Sequence, residues 1–151
     1  MIYRLANTND VECLADLLWE HVGEDSQLNP ADKDSYVLIC SEYMKHRLGI
    51  DLFCWVADNS ERIVAHIYII ISHKIPKPGK INRKWGRLSS VRTIPEYRNQ
   101  GVGSVLMEKV TSWCRELNLE ELVVWPSERS VSFYKRAGFN GENEVMEMLF
   151  E

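Results

Sequence analysis

Hydrophobic positions along the chain follow two spacings that alternate from one end to the other. Runs of β-branched and aromatic residues are typical of strands, and apolar residues three and four positions apart are typical of helices. These spacings predict strands over residues 2–5, 52–57, 62–72, 87–94, 122–125 and 145–150, and helices over 10–22, 30–48, 101–117 and 130–137. The order indicates an α/β fold (an α+β mixed sheet) with one central sheet flanked by helices. Residues 87–125 are expected to form a parallel strand–helix–strand crossover.

Capping sequences mark the start of the first two helices. Asn9 and Glu12 have the spacing of a capping box, and Asn29 followed by Pro30 is a favourable start for the second helix. Gly49 ends that helix, and Asn118 is expected as a left-handed residue after the third. The buried stripe of the second helix is expected to contain Tyr36, Ile39, Cys40, Tyr43 and Met44.

Length and composition indicate one globular domain over residues 1–151. The chain is 45% hydrophobic and 26% charged, which excludes disordered and fibrous classes. No apolar run approaches the roughly 18 residues that a membrane span needs, and no signal peptide is recognised at the start. The four cysteines lack metal-ligand spacing, so no metal site is expected. Their apolar surroundings predict reduced, buried thiols in a cytoplasmic protein: Cys13, Cys40, Cys54 and Cys114.

Positive charge is concentrated in one segment of an acidic chain. The net charge is −4, yet residues 73–100 contain 8 basic side chains and 1 acidic side chain. Two interpretations remain open: a site for a polyanionic ligand, or a solvated hairpin. Residues 74–86 contain two prolines and two glycines and are expected to form a long loop. The net charge argues against a general nucleic-acid-binding protein.

A glycine-containing turn joins the strand predicted at 87–94 to the helix that follows. The first turn of a helix has unpaired N–H groups, and glycines let an anion approach the backbone closely. Gly101 and Gly103 stand at this position, and Arg98 precedes them. No Lys-Ser/Thr pair follows, so the turn is not a nucleoside-triphosphate loop. Leu106 replaces the third glycine of a dinucleotide fingerprint.

Two motifs in this half of the chain resemble one known family. Arg98-Asn99-Gln100-Gly101-Val102-Gly103 resembles the Arg/Gln-x-x-Gly-x-Gly/Ala signature of the GCN5-related N-acetyltransferases, the GNAT family. Residues 133–139, Phe-Tyr-Lys-Arg-Ala-Gly-Phe, resemble that family's Phe-Tyr-x-x-x-Gly-Phe segment, and the motifs stand in the family's order. The resemblance implies a GNAT-like acyl-CoA N-acyltransferase fold. It also implies transfer of the acetyl group of acetyl-CoA to a primary amine of a small molecule or protein.

The resemblance also implies roles for individual residues. Tyr134 matches the tyrosine that protonates the leaving thiolate, and Ser127 stands where the family often has a cofactor-binding asparagine. The fourth and fifth strands are expected to part around the thioester. The backbone of the fourth strand should pair with the pantetheine arm through Val91, Arg92 and Thr93. The pyrophosphate should bind at Arg98, Asn99, Gln100, Gly101, Val102, Gly103 and Ser104.

Several assignments remain open at this point. The fourth strand lacks a carboxylate, so the general base is either ordered water or one of Glu120, Glu121 and His66. Trp85 and Trp125 belong either to the cleft or to the core. A surface suited to a cationic amine, or an ordinary solvated helix face, is formed by Trp19, Glu20, Glu24, Asp25, Asp32, Tyr36 and Tyr43. Alternative functions are a catalytically silent acyl-CoA-binding regulatory module and a nucleic-acid-binding module that uses residues 73–92. Homodimerisation is common in the family.

Overall fold

The computed structural model describes residues 1–141 and 145–150. In chain order the strands are β1 (Ile2–Leu5), β2 (Leu52–Asp58), β3 (Ile63–His73), β4 (Lys84–Thr93) and β5 (Glu121–Val123). The helices are α1 (Val11–Asp25), α2 (Lys33–Arg47), α3 (Val102–Glu116) and α4 (Val131–Arg136). None of the helices in the described ranges is long and apolar enough to cross a membrane.

The strands form one mixed sheet in the order β1-β2-β3-β4-β5. The first four pair antiparallel, and β4 pairs parallel with β5, which confirms the predicted mixed sheet and the parallel pair. The β4–β5 ladder contains only three residue pairs, from Trp85 with Glu121 to Arg87 with Val123. Beyond Arg87, β4 continues to Thr93 along β3 without a β5 partner among the described residues. The two strands therefore separate along the second half of β4.

Helices cover both faces of the sheet and bury two separate clusters of apolar side chains. Ile67 of β3 packs with Leu106 of α3 on one face. Tyr68, the next residue of β3, packs with Leu14 of α1 and Met44 of α2 on the other face. This opposite placement follows from the alternation of side chains along a strand. The central strands are thus buried on both sides, which explains their nearly continuous apolar sequence.

The first helix begins differently from the sequence prediction. Asn7, rather than Asn9, is the capping residue, and its side chain accepts a hydrogen bond from the Asn9 N–H at 2.9 Å. The Asp10 carboxylate, rather than that of Glu12, accepts from the Asn7 N–H at 2.8 Å. The same capping box therefore lies two residues earlier and begins a 3-10 turn that leads into α1. Asp10 is fixed there by Arg4, whose guanidinium lies 2.8 Å away.

The predicted stripe of α2 and the predicted burial of the cysteines are partly wrong. Met44 is buried, but Ile39 and Tyr43 are 66% and 48% exposed. The helix packs mainly against α1, so its inner face is narrower than contact with a sheet would require. Cys13 is exposed and Cys40 is half-buried, whereas the other two cysteines are buried as predicted.

The segment predicted as a long loop connects β3 to β4 over residues 74–83 and contains a backbone-bonded turn. The Lys74 N–H donates to the Arg83 carbonyl at 2.8 Å, and Lys77 and Lys80 bond each other's backbone at 2.9 and 3.0 Å. Gly79 closes the turn with a φ of 80°, a conformation that glycine adopts without strain. The predicted loop is shorter than expected, because β4 begins at Lys84, three residues before the predicted start, where it pairs with His73.

The last predicted strand, over residues 145–150, is wrong for the described part of the chain. Residues 145–150 form no strand, and their apolar side chains are 62–96% exposed. Residues 142–144 and 151 lie outside the described residues. An apolar run adopts strand geometry only where a neighbouring edge pairs with it, and the sequence pattern alone does not supply that partner.

Candidate active site

A cleft of about 600 Å³ opens where β4 and β5 separate. Eight of the predicted site residues line it: Val91, Arg92, Thr93, Arg98, Asn99, Gly103, Ser127 and Tyr134. The other four predicted site residues do not line it. Val102 is buried in the core, Ser104 faces a neighbouring groove, and the Gln100 amide donates to the Glu96 carbonyl at 2.7 Å. Gly101 is the capping residue of α3.

The start of α3 presents backbone N–H groups without helical acceptors. Gly101 has a φ of 81°, and Val105 makes the first helical bond, donating to the Gly101 carbonyl at 3.0 Å. The N–H groups of Val102, Gly103 and Ser104 therefore have no acceptor within the helix. The helix dipole adds partial positive charge at this end, so the turn is suited to an anion.

Gly103 lets α3 lie close to two other elements of the cleft. A Cβ at this position would lie 3.3 Å from Thr93 Oγ1 and 3.7 Å from Phe133 Cε2. The first distance is tighter than an ordinary contact, so a side chain at this position would press against the side chain of Thr93. The absence of a side chain at this position thus allows α3 to pack closely against β4 and α4.

A carboxylate from α1 joins the two arginines of the cleft. Arg98 donates through Nε to the Thr93 carbonyl at 2.9 Å. Its Nη2 lies 3.0 and 3.1 Å from the two carboxylate oxygens of Glu24. The same carboxylate contacts Arg92, whose side chain is only 6% exposed. Arg92 also donates to Nδ1 of His21. The predicted pyrophosphate residue Arg98 is therefore paired with Glu24 in this structure.

His21 is a cleft residue that sequence reasoning did not identify. Burial, followed by the positive charge of Arg92, holds the pKa of His21 below its usual range. Because Nδ1 accepts from a guanidinium, the neutral ring has its proton on Nε2. His21 stands three residues before Glu24, so both lie on the same face of α1. The three-residue spacing is therefore the feature of the sequence that could have placed His21 beside Glu24.

Tyr134 is buried between aromatic rings on the wall of the cleft. Its ring lies edge-on to Phe133 and Phe139, with centroid distances of 5.2 and 5.5 Å. Burial raises the pKa of Tyr134, so the phenol is protonated at neutral pH and can donate a proton. Ser127 lies in the same cleft, and its hydroxyl is 3.0 Å from that of Ser130.

The three side chains considered as general bases do not line the cleft. Glu120 lies 2.9 Å from Arg83 and 3.3 Å from Lys74, and these partners lower its pKa to about 2. Glu121 contacts Lys74. His66 is fully buried, and burial lowers its pKa to about 3. None of them is placed to take a proton from a group in the cleft.

His66 instead supports an irregularity in β4. Its Nε2 lies 3.2 Å from the Ser90 hydroxyl. Ser90 has a φ of 50°, and the β3–β4 register shifts beside it, so Ser90 is the extra residue of a β-bulge. The bulge lies immediately before Val91, at the part of β4 that borders the cleft.

The surface considered for an amine acceptor divides between two cavities. Glu24 and Asp25 line the cleft, whereas Trp19 and Glu20 line a second pocket of about 550 Å³. Glu24 and Arg92 border both cavities, so the pocket adjoins the cleft. Tyr36 supports the pocket wall, because its ring centroid lies 5.4 Å from that of Trp19. Asp32 and Tyr43 line neither cavity.

Trp85 and Trp125, which the sequence left unassigned between cleft and core, lie near the β4–β5 junction. Neither of them lines the cleft. Trp125 is 49% exposed, and the Arg87 guanidinium lies 4.7 Å from its ring centroid. Trp85 is half-buried at the start of the β4–β5 ladder.

The mixed sheet therefore parts beside a glycine turn, with a helix start suited to an anion on one wall of the cleft and a buried phenol on the other. The model of the Acetyltransferase (GNAT) family matches residues 15–139, and the chain belongs to this family. The fold and the family implied by the two motifs are thereby confirmed. Acetyl-CoA is the cosubstrate that acetyltransferases of this family use.

Known proteins with related sequences or structures agree with this family. A glucosamine 6-phosphate N-acetyltransferase from Trypanosoma brucei brucei is 27% identical over 105 residues, which are 70% of this chain and 69% of that protein. A predicted acetyltransferase from Clostridium acetobutylicum, solved with acetyl-CoA, is 20% identical with a TM-score of 0.78. That match covers 98% of this chain and 95% of the other. A glucosamine-6-phosphate N-acetyltransferase from Arabidopsis thaliana matches over 100% of both chains, with 15% identity and a TM-score of 0.70.

Proposed function

We propose that this chain, as a single domain over residues 1–151, is an N-acetyltransferase that transfers the acetyl group of acetyl-CoA to a primary amine. The observation that carries the proposal is the shared cleft. Gly103, in the first turn of α3, and the protonated phenol of Tyr134 line one cavity of about 600 Å³. That cavity offers an anion site and a proton donor to the same bound molecule.

The cosubstrate is proposed to bind along β4. Its diphosphate binds the backbone N–H groups of residues 99–104, assisted by Arg98 after that side chain leaves Glu24. The pantetheine arm pairs with the backbone of residues 91–93, on the side of β4 that has no β5 partner in the described chain. A peptide-like arm can pair there as an added strand. Ser127 borders the same cavity and contributes a hydroxyl.

Acetyl transfer is proposed to be direct. The amine nitrogen attacks the thioester carbonyl, a C–N bond forms, and the C–S bond breaks. Tyr134 gives its proton to the departing thiolate, the acylated nitrogen releases its proton to water, and water returns a proton to Tyr134. The apolar rings around Tyr134 disfavour a charged thiolate, so a positioned acid lowers the barrier. The products are an amide and free coenzyme A thiol.

The acceptor is proposed to enter from the pocket that adjoins the cleft. Trp19 and Glu20 can hold an ammonium group before it loses its proton. Lys33 and Arg62 line the same pocket, and each is partly exposed in a surface ion pair that an anionic substrate can replace. These charges favour a small amine that also carries an anionic group. Glucosamine 6-phosphate, the substrate named for the Trypanosoma relative, has this chemistry.

The basic segment gives no support to a nucleic-acid-binding function. Lys74 and Arg83 lie within 3.3 Å of Glu120, so part of the positive charge of the hairpin is already neutralised. A regulatory module without catalysis would not need Tyr134 in the cleft. We therefore keep acetyl transfer as the proposed function.

An amine panel with detection of free thiol tests the proposal. The panel contains glucosamine 6-phosphate, glucosamine, polyamines and peptides with a free N-terminus, each with acetyl-CoA. We expect thiol release above hydrolysis for at least one amine, and a kcat about 10²- to 10⁴-fold lower for Tyr134→Phe. The matched variant Tyr43→Phe, outside both cavities, should retain full kcat.

Two results would contradict the proposal. Thiol release by Tyr134→Phe at the wild-type rate across the pH range would remove the proposed acid. A rise in melting temperature with acetyl-CoA, but no turnover with any amine, would favour the silent binding module.

A further inference from the structure

One carboxylate stands on the wall between the cleft of about 600 Å³ and the adjoining pocket of about 550 Å³. Among the described residues, Glu24 is the acidic side chain that lines both cavities, and Arg92 borders both of them beside it. Glu24 belongs to the last turn of α1. A change in what Glu24 contacts on the side of the cleft therefore also changes the charge that the pocket presents to a ligand.

The two guanidinium groups that Glu24 contacts differ in how firmly they are held. Arg92 is nearly buried, and it also donates to Nδ1 of His21. Arg98 is exposed, and its contact with Glu24 is an ion pair of 3.0 Å near the surface. A surface pair is weak, whereas breaking a buried pair is costly. Arg98 can therefore leave Glu24 while Arg92 keeps the carboxylate in place.

The charge at this wall changes when a diphosphate binds beside it. In the free protein, two guanidinium groups share one carboxylate, so the cluster of Arg92, Arg98 and Glu24 is positive. A diphosphate at the start of α3 neutralises Arg98 and draws it away from Glu24. The remaining pair of Arg92 and Glu24 is neutral. It repels an ammonium group in the pocket less, and the released carboxylate can accept a hydrogen bond from that group.

We infer that Glu24 couples the two substrate sites by exchanging one ion-pair partner for another. The cosubstrate takes Arg98 from Glu24, and the ammonium group of the acceptor takes the place of that guanidinium. Each substrate therefore favours binding of the other, because both depend on opening of the same ion pair. The inference rests on the proposed function, since it needs the cosubstrate in the cleft and an amine in the adjoining pocket.

Glu20 provides the matched comparison for Glu24. It lines the pocket but not the cleft, and within residues 1–141 and 145–150 it forms no ion pair with Arg98. Its carboxylate can attract the same ammonium group whether or not the cosubstrate is bound. A substitution of Glu20 should therefore weaken amine binding equally in both states and leave the coupling intact.

Isothermal titration of the amine, with and without saturating coenzyme A, measures the coupling directly. Coenzyme A carries the diphosphate but no acetyl group, so no transfer occurs during the measurement. The amine is glucosamine 6-phosphate, or the amine of the panel above that gives the fastest thiol release. We expect coenzyme A to lower the wild-type Kd for the amine by about 5-fold, the effect of opening one exposed ion pair.

Three variants separate the coupling from simple attraction of the amine. Glu24→Gln should bind the amine with the same Kd in the presence and absence of coenzyme A, because the exchanged ion pair no longer exists. Arg98→Gln should behave in the same way, and it leaves the nearly buried pair of Arg92 and Glu24 intact. It therefore tests the inference even if Glu24→Gln does not fold. Glu20→Gln should raise both Kd values and keep their wild-type ratio.

The outcomes separate this inference from the proposed function. Equal wild-type Kd values for the amine with and without coenzyme A would overturn the coupling while leaving both cavities as substrate sites. Retention of the wild-type ratio by Glu24→Gln or by Arg98→Gln would overturn it as well. A wild-type protein that fails to bind coenzyme A, or every amine of the panel, would overturn the proposed function and, with it, the inference.

Discussion

Glu24→Gln is expected to strengthen the binding of acetyl-CoA. The same substitution should lower the stability of the ligand-free protein against unfolding. Glu24 lies 3.0 Å from Arg98 and also contacts the nearly buried Arg92. Its carboxylate therefore occupies the guanidinium groups that the diphosphate would use. Glutamine keeps the size of the side chain and one carbonyl oxygen but removes the charge that competes with the diphosphate.

The size of each effect follows from how exposed the Arg98–Glu24 and Arg92–Glu24 ion pairs are to solvent. Arg98 and Glu24 are 43% and 37% exposed, so solvent limits the value of this pair to about 1 kcal/mol. Releasing it before the diphosphate binds should cost wild type about 5-fold in affinity. Arg92 is only 6% exposed, so loss of its partner should lower the free energy of unfolding by about 1–3 kcal/mol.

Calorimetry and thermal unfolding measure the two effects separately. We expect Glu24→Gln to lower the Kd for acetyl-CoA and to lower the melting temperature of the free protein. Asp25→Asn is the matched control, because Asp25 also lines the cleft but lies 3.8 Å from Arg129 in an exposed pair. It should change neither quantity appreciably. Weaker acetyl-CoA binding by Glu24→Gln would refute the reasoning, since Glu24 would then hold Arg98 in its binding position.

Two further predictions concern the bulge in β4. His66 has a pKa of about 3 in the folded protein because it is buried, with a smaller effect from His21, so it is neutral when folded. The unfolded chain takes up a proton at this site below about pH 6.5, so the stability contributed here is lost as pH falls from 6.5 towards 3. Urea unfolding of His66→Gln should show a smaller loss of stability between pH 7 and pH 5 than wild type, and an equal loss would be contradictory. Ser90 has a φ of 50° and a hydroxyl 3.2 Å from His66. Ser90→Ala should therefore lose about 1–2 kcal/mol, and Ser90→Gly less, because glycine adopts this φ without strain; the opposite ranking would contradict a strained bulge.

Local sequence patterns were sufficient to predict most of the helices and strands. The apolar face of α3 repeats at Val102, Leu106 and Val110, so its extent and its buried side could be predicted. The glycine turn before it was equally clear, because unpaired N–H groups at the start of a helix are a local property. The cap of α1 was displaced because Asn7 and Asn9 both suit that role, and the choice depends on Arg4 holding Asp10.

The residues that the sequence did not reveal are defined by distant contacts. Arg92 is 71 positions from His21 and Arg98 is 74 positions from Glu24, so no spacing along the chain could indicate these pairs. The basic hairpin showed an excess of charge, but its neutralisation by Glu120 depends on the position of β5. The strand predicted over 145–150 had the right composition, and composition does not determine whether an edge pairs with it.

Binding of acetyl-CoA to Gly103→Val, measured by calorimetry, tests the central claim most directly. The claim is that the start of α3 and the adjoining cleft hold the cosubstrate. Valine adds carbon atoms where even a Cβ would lie 3.3 Å from Thr93 Oγ1. Gly141→Val is the matched control, because a Cβ there meets no atom of the described residues within 4 Å.

We predict a Kd for Gly103→Val at least about 10-fold higher than for wild type, with the circular dichroism spectrum retained and the control unchanged. Wild-type affinity in a folded Gly103→Val protein would contradict the account, because the coenzyme would then bind elsewhere.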